Sequence, residues 1–214
     1  MTPTRDRVRI IDSVTLSDDW YVLKKTTFDF RRRDGTWQRQ NWETYDRGNG
    51  ATILLFNRAQ RTVILTRQFR FPVFVNGHDG MLIETAAGLL DNASPEERIR
   101  AEAEEETGYR VQHVRKVFEA YMSPGSVTEK LFFFTGEYDA SARVSPGGGV
   151  EAEGEDIEVI ELTIDDALSA IARGQIVDGK TIMLLQHIAL GELAEPPFKS
   201  APTDSQPRSN SPNP

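Results

Sequence analysis

Residues 88–109 read GLLDNASPEERIRAEAEEETGY, a glycine-opened turn running into a helix with glutamates crowded near its end. Glu102, Glu105 and Glu106 are spaced i, i+3 and i+4, which puts them on one helical face within a turn. Three like charges that close repel one another, and helix propensity does not call for them. A hard divalent ion turns that repulsion into binding, because Mg²⁺ favours clustered carboxylate oxygens. Taken alone, the same run also reads as a solvated acidic face, as most charge runs are. Local chemistry sets the ends of the helix. Ser94 reads as its N-cap, Pro95 as the first helical residue and Glu97 as the partner in a capping box. Gly108 closes it.

Outward from this segment the chain alternates strands and turns. Residues 20–30 and 36–46 read as strands around Asp34-Gly35, a strong hairpin dipeptide. Such a hairpin is marginal in water unless another surface covers it. Strand-like runs follow at 51–56 (ATILLF), 62–67 (TVILTR) and 81–85 (MLIET), with a polar turn at 57–61 between the first two. Further strands are expected at 113–119, 130–138 and 157–163, and helices at 165–173 and 180–190. Residues 139–156 form a long Gly-rich, acidic connection of the kind that is functional or disordered. The stretch 194–214, rich in proline and poor in apolar residues, is expected to be disordered and dispensable. A mixed sheet flanked by helices, an α+β architecture, is the natural outcome.

Composition narrows the function. The 214 residues carry a net charge of −8, with no basic tract longer than Arg31-Arg32-Arg33, which argues against nucleic acid as the main partner. There are no cysteines, so disulfides, zinc thiolates and a cysteine nucleophile are excluded. No apolar run is long enough to span a membrane, and MTPTRDRVRI lacks the apolar core of a signal peptide. The expectation is no membrane partner and a cytoplasmic location.

Glu102 to Tyr109 (EAEEETGY) matches the E-U-x-E-E-x-G-U end of the Nudix box, where U is apolar or bulky. The front half departs: Ser94 stands where the first Glu belongs, Ala101 stands where the Arg belongs, and the spacing between them is one residue short. Arg98 and Arg100 are the nearby candidates to replace that Arg, although each residue of offset turns a side chain about 100° around the helix. Ordered matches continue over roughly residues 18 to 190, through YDRGNGATILL (45–55), RQFR (67–70), AAGLLDN (86–92), YMSPGSVTE (121–129), GGGVE (147–151), GEDIEV (154–159) and DGKT (178–181). The chain resembles the Nudix hydrolases, in the ADP-sugar pyrophosphatase group, and is most similar there to the GDP-mannose pyrophosphatase branch.

The resemblance implies an α/β/α sandwich over 48–193, with residues 1–47 forming an N-terminal β region that packs across a homodimer. It implies hydrolysis of a nucleotide-sugar diphosphate, GDP-mannose giving GMP and mannose 1-phosphate, with an ADP-sugar such as ADP-ribose as the alternative. Pro124 in Ser-Pro-Gly fits ADP-sugar-type substrates, and equally a simple tight turn. Glu102 and Glu106 become direct metal ligands, completed by the Ala87 carbonyl beside Gly88, with Glu105 in support. The all-oxygen set fits Mg²⁺, with Mn²⁺ as a substitute. A catalytic base, also able to reach the metal, maps to Glu155, with Glu153 second in the same loop.

Substrate contacts are expected from Trp20, Glu43, Arg70, Gly88, Leu89, Glu129 and Lys180. Arg70 has the planar fork that clamps phosphate, or makes a strand-end salt bridge. Lys180 lies at a helix start, where the dipole already favours anions. Trp20 stacks on a base or simply packs. Asn41 and Trp42 replace the basic residues expected beside Glu43. His78, His113 and His187 share no ligand-like spacing and read as structural. A different class remains open: a Nudix-fold module that senses a nucleotide sugar without cleaving it. Ser94 and Ala101 favour that reading, and the retained carboxylate cluster weighs against it.

Overall fold

The computed structural model describes residues 4–111 and 113–192, excluding the side chains of Glu153 and Glu192. The expected tail at 194–214 lies outside the described residues. The chain builds two sheets, one of three strands near the N-terminus and one of seven.

The larger sheet is organised by strand β4 (Gly50–Asn57), GATILLFN, in which every residue is buried. Alternation sends its side chains into two separate cores. Ile53 and Leu55 join Phe134 and Ile99 and Ala103 of helix α2 (Pro95–Thr107). Leu54 and Phe56 join Ile164 and Ala167 of helix α3 (Ile164–Ala172) and Leu184 and Leu185 of helix α4 (Gly179–His187). A strand apolar on both faces needs cover on both, so the result is three layers, helix, sheet and helices.

Strand pairing makes the sheet mixed. β4 runs parallel to β9 (Lys130–Glu137) and antiparallel to β5 (Thr62–Phe69), while β8 (Val114–Tyr121) and β10 (Glu158–Thr163) form the edges. β4 and β5 stay paired only over Leu55–Asn57 and Thr62–Ile64. Beyond that point they part. β6 (Met81–Glu84) pairs with Thr66–Phe69 of β5, and β7 (Ala86–Leu89) pairs with Gly50–Ile53 of β4. The sheet therefore forks, and the β6–β7 segment crosses from one arm to the other.

The N-terminal sheet is a meander of β1 (Val8–Asp18), β2 (Val22–Arg31) and β3 (Trp37–Asp46). The hairpin at Asp34-Gly35 is where it was expected, but β1 is an additional strand. Two register shifts, at Ile10/Asp12 and Thr15/Ser17, break its alternation and hide it from a period-2 reading. The sheet is thinly covered, with Ile10 63% and Ile11 50% exposed. It is tied to the larger domain through Tyr45, whose N–H donates to the Ser126 carbonyl (2.8 Å) and whose carbonyl accepts from Thr128 (3.1 Å).

Residues 71–75, FPVFV, where the sequence reading placed no element, form the one-turn helix α1 (Phe71–Val75), with Pro72 in its first turn. Ala86–Leu89 was expected as part of a turn and is strand β7, because its backbone completes β4. The helix expected to run to residue 190 ends at His187 and continues as a π-turn over Ile188–Glu192.

Candidate active site

Helix α2 begins as its sequence dictates. The Ser94 hydroxyl accepts from the Glu97 N–H (3.3 Å), and the Glu97 carboxylate accepts from the Ser94 N–H (3.2 Å). Gly108 ends it with φ 79°. Within that frame Glu102 and Glu106 turn inward and are buried, 6% and 2% exposed, while Glu105 stays at the surface. Both inward carboxylates lie beneath β7. A Cβ on Gly88 would sit 2.0 Å from Glu102 Oε1, so only glycine lets the strand pass this close. The Ala87 backbone hydrogen-bonds to the Glu106 carboxyl, whose other oxygen, Oε2, is buried without a partner.

The charge around Glu106 is only partly compensated. Burial, then the neighbouring Glu102 and Glu155 carboxylates, push the Glu106 pKa up to about 8; Arg70 and the Ala87 amide oppose the rise. Arg98, one turn before Glu102, forms an ion pair with its Oε1. Arg100 faces elsewhere, bonding Glu96 Oε1 (2.7 Å) and the Val111 carbonyl (2.8 Å). Arg98 therefore supplies the cation that Ala101 does not, from the i, i+4 position to Glu102.

The acidic loop is anchored to the end of the same helix. The Gly148 N–H donates to the Glu106 carbonyl (2.9 Å), and the Gly149 N–H donates to that of Glu105 (3.1 Å). These are helix-end carbonyls with no intrahelical partner. Gly147 has φ 73°, and a Cβ there would lie 2.6 Å from the Glu106 carbonyl oxygen, so the docking requires glycine. From this anchor the chain reaches Glu155, whose Oε2 accepts from the Val150 N–H (2.9 Å). Glu153 lies in a short 3₁₀ turn, and its side chain is outside the described residues.

A cleft of about 480 Å³ opens at the fork of the sheet. Of the expected site residues it brings together Trp20, Arg70, Ala87, Gly88, Leu89, Glu102, Glu105 and Glu155. Arg98 and Asp156 line it as well. Glu106 lies beneath its floor. Trp20 is 81% exposed at the rim, next to Tyr21, over whose ring Arg47 stacks at 5.5 Å.

The remaining expected contacts lie apart. Glu43 is exposed on β3, opposite Lys25. Glu129 pairs with Arg47 (3.5 Å), and Trp42 lines a second groove of about 310 Å³ with Tyr121 and Pro124. Lys180 is held behind the cleft wall between Asp178 (3.1 Å) and Glu84 (3.4 Å).

Glu84 went unrecognised in the sequence. It is 3% exposed, and its Oε2 accepts from Arg70 Nε (3.0 Å) and Nη2 (2.7 Å). One buried carboxylate thus holds both Arg70 and Lys180. The available signal was its position two residues after Leu82 in MLIE, where strand alternation calls for an apolar residue.

Among the described residues no three acidic or imidazole side chains converge tightly enough to hold an ion unaided. Glu102 is instead paired with Arg98, and Glu155 with the Val150 amide. The donor set nevertheless fits a divalent cation: an orphaned buried carboxylate oxygen, two further carboxylates beside it, and a glycine cradle above.

Comparison with known proteins shows the family. Residues 7–45 match the family model described as the GDP-mannose pyrophosphatase NudK N-terminal domain, and residues 46–185 match the NUDIX domain. A GDP-mannose pyrophosphatase of Pectobacterium atrosepticum is 60% identical over 181 residues, covering 84% of this chain and 93% of that protein. One from Yersinia enterocolitica is 58% identical over 182 residues, covering 85% and 94%. The solved structure described as an ADP compounds hydrolase superposes with a TM-score of 0.66 at 14% identity, covering 87% of this chain and 96% of that one. That last likeness supports the fold. The chain belongs to the Nudix hydrolases, in the family of the GDP-mannose pyrophosphatases.

Proposed function

We propose that this protein hydrolyses GDP-mannose to GMP and mannose 1-phosphate, using Mg²⁺ held by Glu102, Glu106 and the Ala87 carbonyl, with Glu105 and Glu155 in support. The observation that carries the reading is a pair of buried carboxylates under β7, Glu102 against Gly88 and Glu106 against the Ala87 backbone, beside a cleft that also presents Arg70. Mg²⁺ supplies charge to offset the diphosphate, polarises a phosphoryl oxygen and makes water more acidic. Mn²⁺ satisfies the same oxygen donors.

Arg70, aligned by Glu84, presents its guanidinium to the diphosphate. Glu155 accepts the proton of the attacking water as its oxygen bonds to phosphorus. The bridging P–O bond breaks, and its electron pair leaves with the departing phosphate. Glu153 is the second candidate for the base. Trp20, Gly88 and Leu89 receive the nucleotide sugar in the cleft, Glu129 acts at its rim through Arg47, Lys180 acts from behind the wall through Glu84, and Glu43 reaches the substrate from a second subunit.

A homodimer belongs to the same reading. Residues 1–47 serve dimerisation and 48–193 catalysis, because the thinly covered N-terminal sheet needs a partner surface. We assign the protein to the cytoplasm, with no nucleic-acid or membrane partner. Product analysis with GDP-mannose and with ADP-ribose, each with and without Mg²⁺, tests the assignment. Mg²⁺-dependent GMP well in excess of AMP is expected. AMP in excess would move the substrate to an ADP-sugar, and binding without any monophosphate would identify a sensor.

A further inference from the structure

Arg98 has two unusual properties at once. Its Nη2 pairs with Oε1 of Glu102, and its Nε is buried without a hydrogen-bond partner among the described residues. A guanidinium carries five donors in a fixed fork, and leaving one buried and unmet costs free energy. The side chain is 29% exposed and lines the cleft, so an anion entering there can reach it. Its present partner is also the oxygen that Gly88 brings under β7, where the cation is proposed to bind. A cation arriving at that oxygen repels the guanidinium already paired with it and competes for the same carboxylate charge.

We infer that Arg98 has two partners in succession: it neutralises Glu102 in the metal-free protein, and on metal binding it turns to a phosphate oxygen of the substrate. This rests on the proposed reaction. Arg98 is thus a substrate-binding residue on α2 that competes with the metal for Glu102 before substrate arrives. A simple prop for the metal ligand would act in the opposite direction, since its removal would weaken metal binding.

The test compares wild type, Arg98→Gln and Arg98→Lys in two measurements. The first is Mn²⁺ binding by electron paramagnetic resonance without nucleotide, and the second is GDP-mannose kinetics at saturating Mg²⁺. Arg98→Gln is expected to bind Mn²⁺ about threefold more tightly, the size of a partly exposed ion pair lost. Its KM for GDP-mannose is expected to rise about tenfold or more, the size of a charged hydrogen bond lost, with a smaller change in kcat. Arg98→Lys, keeping the charge, should restore Mn²⁺ affinity toward wild type and KM in part. Weaker Mn²⁺ binding by Arg98→Gln, or an unchanged KM, would overturn the inference. A wild type that releases no GMP would instead refute the reaction, and the Mn²⁺ comparison would still decide whether Arg98 competes with metal.

Discussion

The Arg70 guanidinium meets a single oxygen of Glu84 with two of its nitrogens, at 3.0 and 2.7 Å, while the other Glu84 oxygen lies 3.4 Å from Lys180. Glu84 sits where the sheet forks, at the end of β6 and one residue before Thr85, whose N–H donates to Thr181 Oγ1 (2.8 Å). It therefore sets the direction of Arg70, which follows β5 and lines the cleft.

Glu84→Gln keeps the shape and removes the charge shared by two cations. Breaking a buried pair by removing one partner costs roughly 3–5 kcal/mol, and less where a partner is partly exposed, as Arg70 is. A loss of about 1–3 kcal/mol in urea unfolding is expected, with kcat/KM reduced about 10–100-fold, as for residues that orient a site. In an Arg70→Ala background the kinetic penalty of Glu84→Gln should shrink. A penalty of full size there would mean that Glu84 does not act through Arg70.

Glu106 makes the metal-free protein sensitive to pH. Its folded pKa of about 8 lies above the ordinary 4.5, so between those values the folded chain retains a proton that the unfolded chain has released. Stability from this group is complete below pH 4.5 and is lost as pH rises through about 8. The melting temperature in chelator should fall across that window, and Glu106→Gln should flatten the fall. A divalent ion must displace the same proton, so Mn²⁺ affinity should rise with pH over the range. A melting temperature independent of pH in chelator would contradict the burial of this carboxyl.

Ser94 occupies the position of a box glutamate but acts as a helix cap. Ser94→Ala is expected to cost about 1 kcal/mol in stability, measured by urea titration, and to leave kcat for GDP-mannose within twofold. A large fall in kcat with unchanged stability would return a catalytic role to this position.

Gly149 lies against the base candidate: a Cβ added there would stand 2.4 Å from Glu155 Oε2, on a backbone with φ 77°. Gly149→Ala should displace Glu155 and lower kcat by about 10² or more, the contribution of a positioned general base, with a smaller loss of Mn²⁺ affinity, since Glu102 and Glu106 remain in place. An unaffected kcat would move the base role from Glu155 to Glu153.

Local chemistry was legible in the chain and distant pairing was not. The capping box of α2, the Gly108 stop and the turn at Asp34-Gly35 depend on residues within a few positions, and each formed as read. Strand β4 was legible as a strand from its apolar run, while its burial on both faces came only with the two cores it separates. Strand β1 escaped because its two register shifts destroy alternation, and α1 because a single turn has no period. At the site, the clustered glutamates announced themselves by repulsion. Arg98 stands four residues before Glu102, a spacing that pairs side chains on any helix, yet Arg100 was an equal candidate until the Val111 carbonyl was seen to claim it. The link from Glu84 to Lys180 joins β6 to α4 across the fold, and no local pattern carries it.

Metal-dependent diphosphate hydrolysis is the role proposed for the Glu102 and Glu106 carboxylates under β7. Its most direct test is GMP release from GDP-mannose by wild type and Glu106→Gln, with Mg²⁺ and with chelator, at matched folded fractions. Charge stabilisation by a bound metal is worth several kcal/mol, so wild type with Mg²⁺ should exceed both the variant and the chelated enzyme by on the order of 10² or more. Equal GMP release by wild type and Glu106→Gln in Mg²⁺ would contradict the account.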